Sequence, residues 1–500
     1  MEAPSAEFLR LHPLTIVHRV IIAIVAFVGG SVAFALSGVQ QSGLMTSLII
    51  GGALFIITGP FAIASYIRFR YNATREELII IYGVFKRVKR NIPTERVQNV
   101  AIERNLLSRI LGTALVKIET AGTSEAEGIL SYVSVHEAKR IKDLLQTSST
   151  PEKVEEDSQD LPAFRMSLKR VTLSSIYQFS LGITAFLGTT ILQLDSVGFP
   201  QIRTSIVWLV EQEPLIELAF LSPKLTLMLI YVGGIIALIA MGWISGFVLN
   251  FMRFYNFRME LSSEKIHRQF GLFSTIEASL SYKRVQSFLI RSNLLMRFRK
   301  WYRLDLQTMG LQSGQQGFQP AMPFARWSEI MDLSPQIRVF TLPEVYTSVS
   351  QRTIRRHFFR YSLGMTTLLI ILSLVWTPMT LWGLGLLPLA WIISLFQYQC
   401  HHWALHEGNL FIRRRIVSQQ FWIIPLERLQ ALEIRSSFFQ RRLSLCTLVI
   451  DTAGAGGFSR YPRIIDLHRE DGHQLLDTIH GQFKSTGKIQ IDQRIGASAN

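Results

Sequence analysis

The chain has 500 residues, 48% of them hydrophobic and only 18% charged, and carries a formal net charge of +16. Charged residues are about a quarter of an ordinary soluble protein, so this balance argues against one. It leaves an anionic membrane surface or a nucleic acid to explain the positive charge.

Six apolar stretches occur in pairs along the chain: Ile16–Leu36 with Leu44–Ile67, Val171–Leu194 with Leu225–Leu249, and Tyr361–Val375 with Leu381–Gln397. Crossing the hydrocarbon core takes about 20 residues, with a lower limit near 17. The first four are long enough. The last two suffice only if part of the Trp376–Thr380 turn is included, and a shallow hairpin is the alternative there. Arg10, His12 and Arg19 ahead of the first stretch, with Ala33-Phe34-Ala35 near its end, resemble a signal peptide. The run is long for one, and a second apolar run follows at once, so a retained helix is expected. These segments favour a membrane over a nucleic acid as the partner of the charge.

Lys and Arg around the segments predict the orientation. The turn from Ser37 to Gly43 is uncharged, and the loop 195–224 is acidic, with Asp195, Glu211, Glu213 and Glu217 against Arg203. Within that loop Ile206–Val210 and Leu215–Leu221 are expected to lie along the interface. Arg68 and Arg70; Arg165, Lys169 and Arg170; Arg253 and Arg258; and Arg352, Arg355, Arg356 and Arg360 all fall on the other side. Both termini and all polar segments are therefore expected on the cytoplasmic side.

The polar segments repeat one signature. The first reads Gly83-Val84-Phe85, Ile92-Pro93-Thr94-Glu95-Arg96-Val97-Gln98, Asn105-Leu106-Leu107 and Thr120-Ala121-Gly122. The second reads Gly271-Leu272-Phe273, Tyr282-Lys283-Arg284-Val285-Gln286, Asn293-Leu294-Leu295 and Thr308-Met309-Gly310. The third reads Ile424-Pro425-Leu426-Glu427-Arg428-Leu429-Gln430 and Thr452-Ala453-Gly454, with Arg415 where the other two have the glycines Gly83 and Gly271. Arg to Thr spans 24 residues in every copy, and fixed spacing of this kind marks an internal repeat.

Within the first unit, Leu78–Tyr82 is a β-branched run stopped by Gly83, and Val97–Ile102 and Ala114–Thr120 alternate as one-sided strands. Asn105–Leu111 reads as a short helical turn. Ser134 with Glu137, followed by Ala138, Ile141 and Leu144, predicts a capping box and an amphipathic closing helix. The second unit's closing helix is poorly marked around Trp327–Leu333, and Ser148–Gln159 reads as a flexible linker. A partly open barrel or sandwich with a helix follows for each unit.

Leu11-His12-Pro13 ahead of a hydrophobic hairpin, followed by Gly-Val-Phe, Ile-Pro-x-Glu-Arg-Val-Gln-Asn-Val and Thr-Ala-Gly, resembles the bacterial pleckstrin-homology (PH) domain membrane proteins of the YdbS/YdbT type. The resemblance implies an α+β membrane protein of the bacterial plasma membrane, with six transmembrane helices in three hairpins. Each hairpin would precede a cytoplasmic PH-like, seven-stranded sandwich with a C-terminal helix. It also implies a companion small single-unit protein as a frequent partner, hence a hetero- or homo-oligomer, and brings no assigned catalysis. The expected divisions are hairpins at 14–67, 165–250 and 361–397, PH-like domains at 68–147, 251–335 and 398–484, linkers at 148–164 and 336–360, and a tail at 485–500.

Basic clusters are the candidate sites: Lys86, Arg87, Lys89 and Arg90 in the first unit, Arg297, Arg299 and Lys300 beside Arg303 in the second, and Arg413, Arg414 and Arg415 in the third. They fit contact with membrane lipids through anionic headgroups, and they fit equally a solvated face that enforces topology. No stacking platform for a nucleic acid accompanies them. Arg96, Gln98, Arg284, Gln286, Arg428 and Gln430, with Thr120, Gly122, Thr308, Gly310, Thr452 and Gly454, recur in all copies and suggest a shared structural task, with a ligand contact as the alternative for the Arg and Gln residues.

His401, His402 and His406 near Cys400 have a spacing that could bind a metal on a helix, but they fall where a strand should begin, and no metal or other cofactor is expected. Cys400 and Cys446, the two cysteines, are expected to be reduced thiols. Gly454-Ala455-Gly456-Gly457 lacks the Lys-Ser/Thr of a P-loop, and no nucleophile elbow or zinc-protease motif occurs, so no enzyme is expected. The segment cores contain no Asp, Glu, Lys or Arg, which argues against a proton-coupled carrier. A membrane-anchored interaction or scaffold module is the leading expectation, and part of an exporter or resistance system for small molecules or peptides is the alternative.

Overall fold

The computed structural model describes residues 8–16, 52, 56, 59–120, 128–146, 163–180, 182, 223–262, 264–308, 318–375, 378–415, 418–452 and 461–486. Nearly all of the first apolar stretch, most of the second, the distal half of the third, almost all of the acidic loop, the linker around Ser148–Gln159, and Gly122, Gly310 and Gly454 lie outside the described residues.

The first unit contains β1 (Arg70–Ala73), β2 (Glu77–Tyr82), β3 (Val88–Pro93), β4 (Val97–Arg104), α1 (Leu106–Ile110), β5 (Thr113–Thr120), β6 (Gly128–Ser134) and α2 (Val135–Gln146). The second has β7 (Phe164–Arg165), the helices α3 (Leu168–Ile176) and α4 (Pro223–Phe254), then β8 (Arg258–Leu261), β9 (Lys265–Phe270), β10 (Thr275–Ser281) and β11 (Val285–Ser292). It ends with α5 (Leu294–Phe298), β12 (Trp301–Thr308), β13 (Phe318–Arg326) and α6 (Trp327–Ile337). The third opens with β14 (Thr347–Ser348), α7 (Arg352–Val375), a 3-10 stretch Pro378–Leu386 and α8 (Leu387–Gln399). It continues with β15 (His401–His406), β16 (Asn409–Arg415), β17 (Gln419–Pro425), β18 (Leu429–Arg435), α9 (Phe438–Arg442), β19 (Leu445–Thr452), β20 (Arg463–His468) and α10 (Arg469–Thr486).

Each unit is a sandwich of two antiparallel sheets closed by a helix. In the first, Ala114, Val116 and Ile118 of β5 point into the core with Leu78, Ile92 and Leu130, as strand alternation requires. The 24-residue spacing now has a cause. A 3-10 turn holds Arg96, Arg284 or Arg428, and the next residue, Val97, Val285 or Leu429, pairs with Thr120, Thr308 or Thr452. The register then slips by one at Gln98, Gln286 and Gln430, so the repeated glutamine is the extra residue of a β-bulge in all three copies. Asn105 and Asn293 cap the short helices by accepting from Ser108 N and Met296 N at 2.8 Å, and Ser437 takes the same place in the third unit.

Two features differ from the sequence-based expectation. The first strand of each sandwich comes from before its hairpin: Phe164–Arg165 pairs with β8, Thr347–Ser348 with β15, and Leu9 bridges to Tyr71. The apolar segments are thus inserted after this opening pairing, and the 336–360 stretch expected as linker contains β14 and the start of α7. Two-residue strands carry too little periodicity to be read. Second, the units share sheets. The two seven-stranded sheets run β6-β5-β4-β10-β9-β8-β7 and β13-β12-β11-β17-β16-β15-β14, each built from two successive units.

Among the described residues, three helices are long and apolar enough to cross a membrane: Val232–Phe254, Arg352–Leu374 and Thr380–Gln399. Both arms of the third hairpin thereby reach spanning length, because α7 begins nine residues before Tyr361 and the 3-10 stretch extends the other arm. The closing helix α6 is fully formed. Its start is capped from Glu329, whose Oε2 accepts from Arg326 N at 2.6 Å, rather than from a Ser or Thr that sequence could flag.

Gly271 adopts φ +115°, and a Cβ there would lie 1.9 Å from the Ser274 carbonyl oxygen. Gly408, at φ +69°, has open space around it. Gly271→Ala is therefore expected to destabilise the chain by at least about 1–3 kcal/mol, and by more than Gly408→Ala, as read from the thermal unfolding midpoints of the two variants.

Candidate membrane-facing site

The turn of the Gly-x-Phe motif docks onto the base of its hairpin. Arg68 donates to Val84 O at 2.9 Å, Phe61 and Phe85 stack at 6.0 Å, and Leu272 N bonds Met252 O at 2.8 Å. The short helices α1, α5 and α9 are greasy yet uncovered: Ile110 is 72% exposed, Phe298 84% and Phe438 56%. α5 is tied to the end of α3 by Asn293 Nδ2 donating to Tyr177 O at 2.8 Å, and Phe439 of α9 meets Phe359 of α7 at 5.6 Å. In the second and third units, therefore, an exposed apolar helix stands beside the hairpin, and the first repeats the same helix in α1. Isolated exposed apolar residues are ordinary, but apolar patches recurring at one place mark an interaction surface.

In the third unit this region holds a cavity of about 140 Å³ lined by Arg356, His357 and Arg360 of α7, Gln397 of α8, His401 of β15, Arg414 and Arg415 of β16, and Arg463 and Ile465 of β20. It lies where both candidate spans return to the sandwich. Arg356 Nη1 pairs with the buried Asp466 at 3.0 Å. Burial raises the Asp466 carboxyl against the pull of Arg356. Among the described residues no carboxylate pairs with Arg360, Arg414, Arg415 or Arg463. Arg360 instead donates to His357 Nδ1 at 3.1 Å and to Tyr361 Oη at 2.9 Å, and Tyr361 donates to Gln397 Oε1 at 2.9 Å.

Burial, with Arg463 beside it, pushes the Arg414 guanidinium down to about 10, still charged at neutral pH. Burial, then Arg414, pushes His401 down to about 3, so its ring is neutral and can donate from only one nitrogen. His401 Nε2 and Arg415 Nε are buried without a hydrogen-bond partner among the described residues. Clustered cationic donors with so few acceptors suit a phosphate-bearing anion.

The other predicted basic residues are dispersed. Lys86 and Arg87 sit on the β2–β3 turn, and Lys89 and Arg90 on β3. Arg297, Arg299 and Lys300 follow one another across the end of α5, and Arg326 donates to Arg299 O. In the second unit Arg170 is bound by both carboxylate oxygens of Glu329, so its charge is neutralised internally. Of the sequence candidates only Arg414 and Arg415 enter the cavity, and Arg413 lies near Tyr346. Arg356 and Arg360 read in sequence only as topology determinants, and Arg463 carried no signal. His401–His406 is a strand, which breaks the helical histidine spacing.

Tandem helix-closed sandwiches, with long apolar segments inserted near the start of each, define a class of membrane-associated PH-like proteins. The bacterial PH domain family model matches residues 20–149, 215–339 and 337–483, and the chain belongs to that family. It is similar to the UPF0699 transmembrane protein YdbT of Bacillus subtilis (strain 168), 23% identical over 417 residues, which cover 79% of this chain and 82% of that protein. No solved structure matches the chain.

Proposed function

We propose that the chain is a non-enzymatic, membrane-anchored interaction module. Six helices in three hairpins hold three PH-like sandwiches at the cytoplasmic face of a bacterial plasma membrane. The short apolar helices rest in the interface, and the arginine cavity of the third unit takes the phosphate of an anionic lipid. One observation carries this reading: four guanidinium groups that make no salt bridge among the described residues line a cavity at the ends of two helices of spanning length. The family membership and the similarity to a transmembrane protein support the anchoring.

The test uses the full chain in nanodiscs of phosphatidylglycerol or phosphatidylcholine, with lipid retention read by native mass spectrometry. Each cationic group near the surface contributes about 1 kcal/mol. Arg414→Gln with Arg463→Gln is expected to weaken retention of the anionic lipid by roughly 30-fold while leaving the unfolding midpoint near that of the parent. Equal retention of both lipids, or no change in the double variant, overturns the reading.

A further inference from the structure

The two joints between units are one joint made twice. In each, the first strand of a unit's second sheet pairs antiparallel with the last strand of the next unit's first sheet: β4 with β10, and β11 with β17. The register is the same. Ile102, six residues after Arg96, faces Glu277, seven before Arg284; Ile290, six after Arg284, faces Phe421, seven before Arg428. Side chains reinforce each joint: Lys142 pairs with Glu277 at 2.7 Å, and Arg338 with Glu427 at 2.7 Å.

Two strands of this class are left over. β3 has the place of β10 and β17, and β18 has the place of β4 and β11; each ends its sheet among the described residues. A row of unpaired backbone groups is a template for another strand. Laying the observed register on them sets Ile434 opposite Lys89 and Glu433 opposite Arg90. The second pairing puts a carboxylate directly across from a guanidinium, which is favourable between neighbouring strands. Glu433 is now held by Arg435, two residues along its own exposed strand.

We propose that β18 of one copy pairs with β3 of a second copy, repeating between chains the joint that already links the units within one. The contact is heterologous, so it closes into a ring or continues as a filament.

The full chain in detergent micelles tests this by native mass spectrometry and disulfide trapping. Residues facing each other across an antiparallel pair have Cα atoms about 5 Å apart, within disulfide reach. Glu433→Cys mixed with Arg90→Cys is expected to give a two-chain species, and the double variant a ladder or closed ring, neither formed by the parent with Cys400 and Cys446. Glu433→Arg is expected to shift the mass distribution to single chains, and adding Arg90→Glu to restore the assemblies. Single chains at every concentration overturn the proposal. So do crosslinks formed only between like variants, or a foreign protein seated on these edges.

Discussion

Replacing Asp305 with alanine is expected to destabilise the second unit by about 3–5 kcal/mol, the cost of breaking a buried ion pair from one side. Asp305 is fully buried in β12. Its Oδ2 accepts from Arg291 Nε at 2.8 Å, and its Oδ1 from Arg303 Nε at 2.8 Å. Arg303 in turn lies 5.6 Å from the centre of the Phe254 ring, at the base of α4. Removing the carboxylate leaves two guanidinium groups facing each other beneath a hairpin helix. The first unit holds the equivalent pair with its signs reversed, Glu103 with Lys117 at 2.7 Å.

Burial alone would raise the Asp305 carboxyl, but Arg303 and Arg291 outweigh it and hold it below its ordinary value. A depressed carboxylate contributes stability that is complete above the unfolded-state value, near 4, and is lost as pH falls through the lower folded-state value. The parent chain should therefore lose stability on acidification below about pH 4, and Asp305→Asn should lack that component. Thermal unfolding midpoints measured across this range, in detergent, check both statements. A variant as stable as the parent at neutral pH would show that the pair contributes little.

Phe421→Ala is expected to cost about 3–5 kcal/mol and to loosen two units together. Phe421 is 3% exposed and faces Ile290 across the joint between β11 and β17. Its ring lies 5.8 Å from Trp327 of the second unit's closing helix and 6.2 Å from Phe411 of its own sheet. The second unit's core includes Ala404, Phe411, Phe421 and Ile423 from the third, and the third unit's core includes Leu289 and Phe318 from the second. The joint is thus an interior, with the cooperativity of one. Hydrogen exchange should show β11 and β17 losing protection together. Loss confined to the third unit would mean that the sheets are only docked.

The repeat was legible because its causes are local. A bulge needs its extra residue at one place, a 3-10 turn precedes it, and a short helix needs Asn or Ser at its cap, so Gln98, Arg96 and Asn105 recur at fixed spacing. The closing helix after Ser134 was legible for the same reason, whereas α6 was faint because its cap is assembled by Glu329 between Arg326 and Arg170. Apolar length marked the candidate spans in the same direct way.

The candidate site was legible only in fragments. Arg414 and Arg415 stood out as a basic run, but whether a run stays in solvent or lines a cavity depends on what packs over it. Here that is α7 with Arg356 and Arg360, β20 with Arg463, and the neutral ring of His401, brought together from more than 100 residues of chain.

The sequence by itself determined most of the unit: its longer strands, its turns, its Asn- and Ser-capped helices and its apolar segments, all set by neighbours within a few residues. The tertiary structure alone decided how units join. A strand's outward hydrogen-bonding edge is made of backbone, identical for every residue type, so nothing in β4 or β11 names β10 or β17 as its partner until the chain has folded and only certain edges can meet.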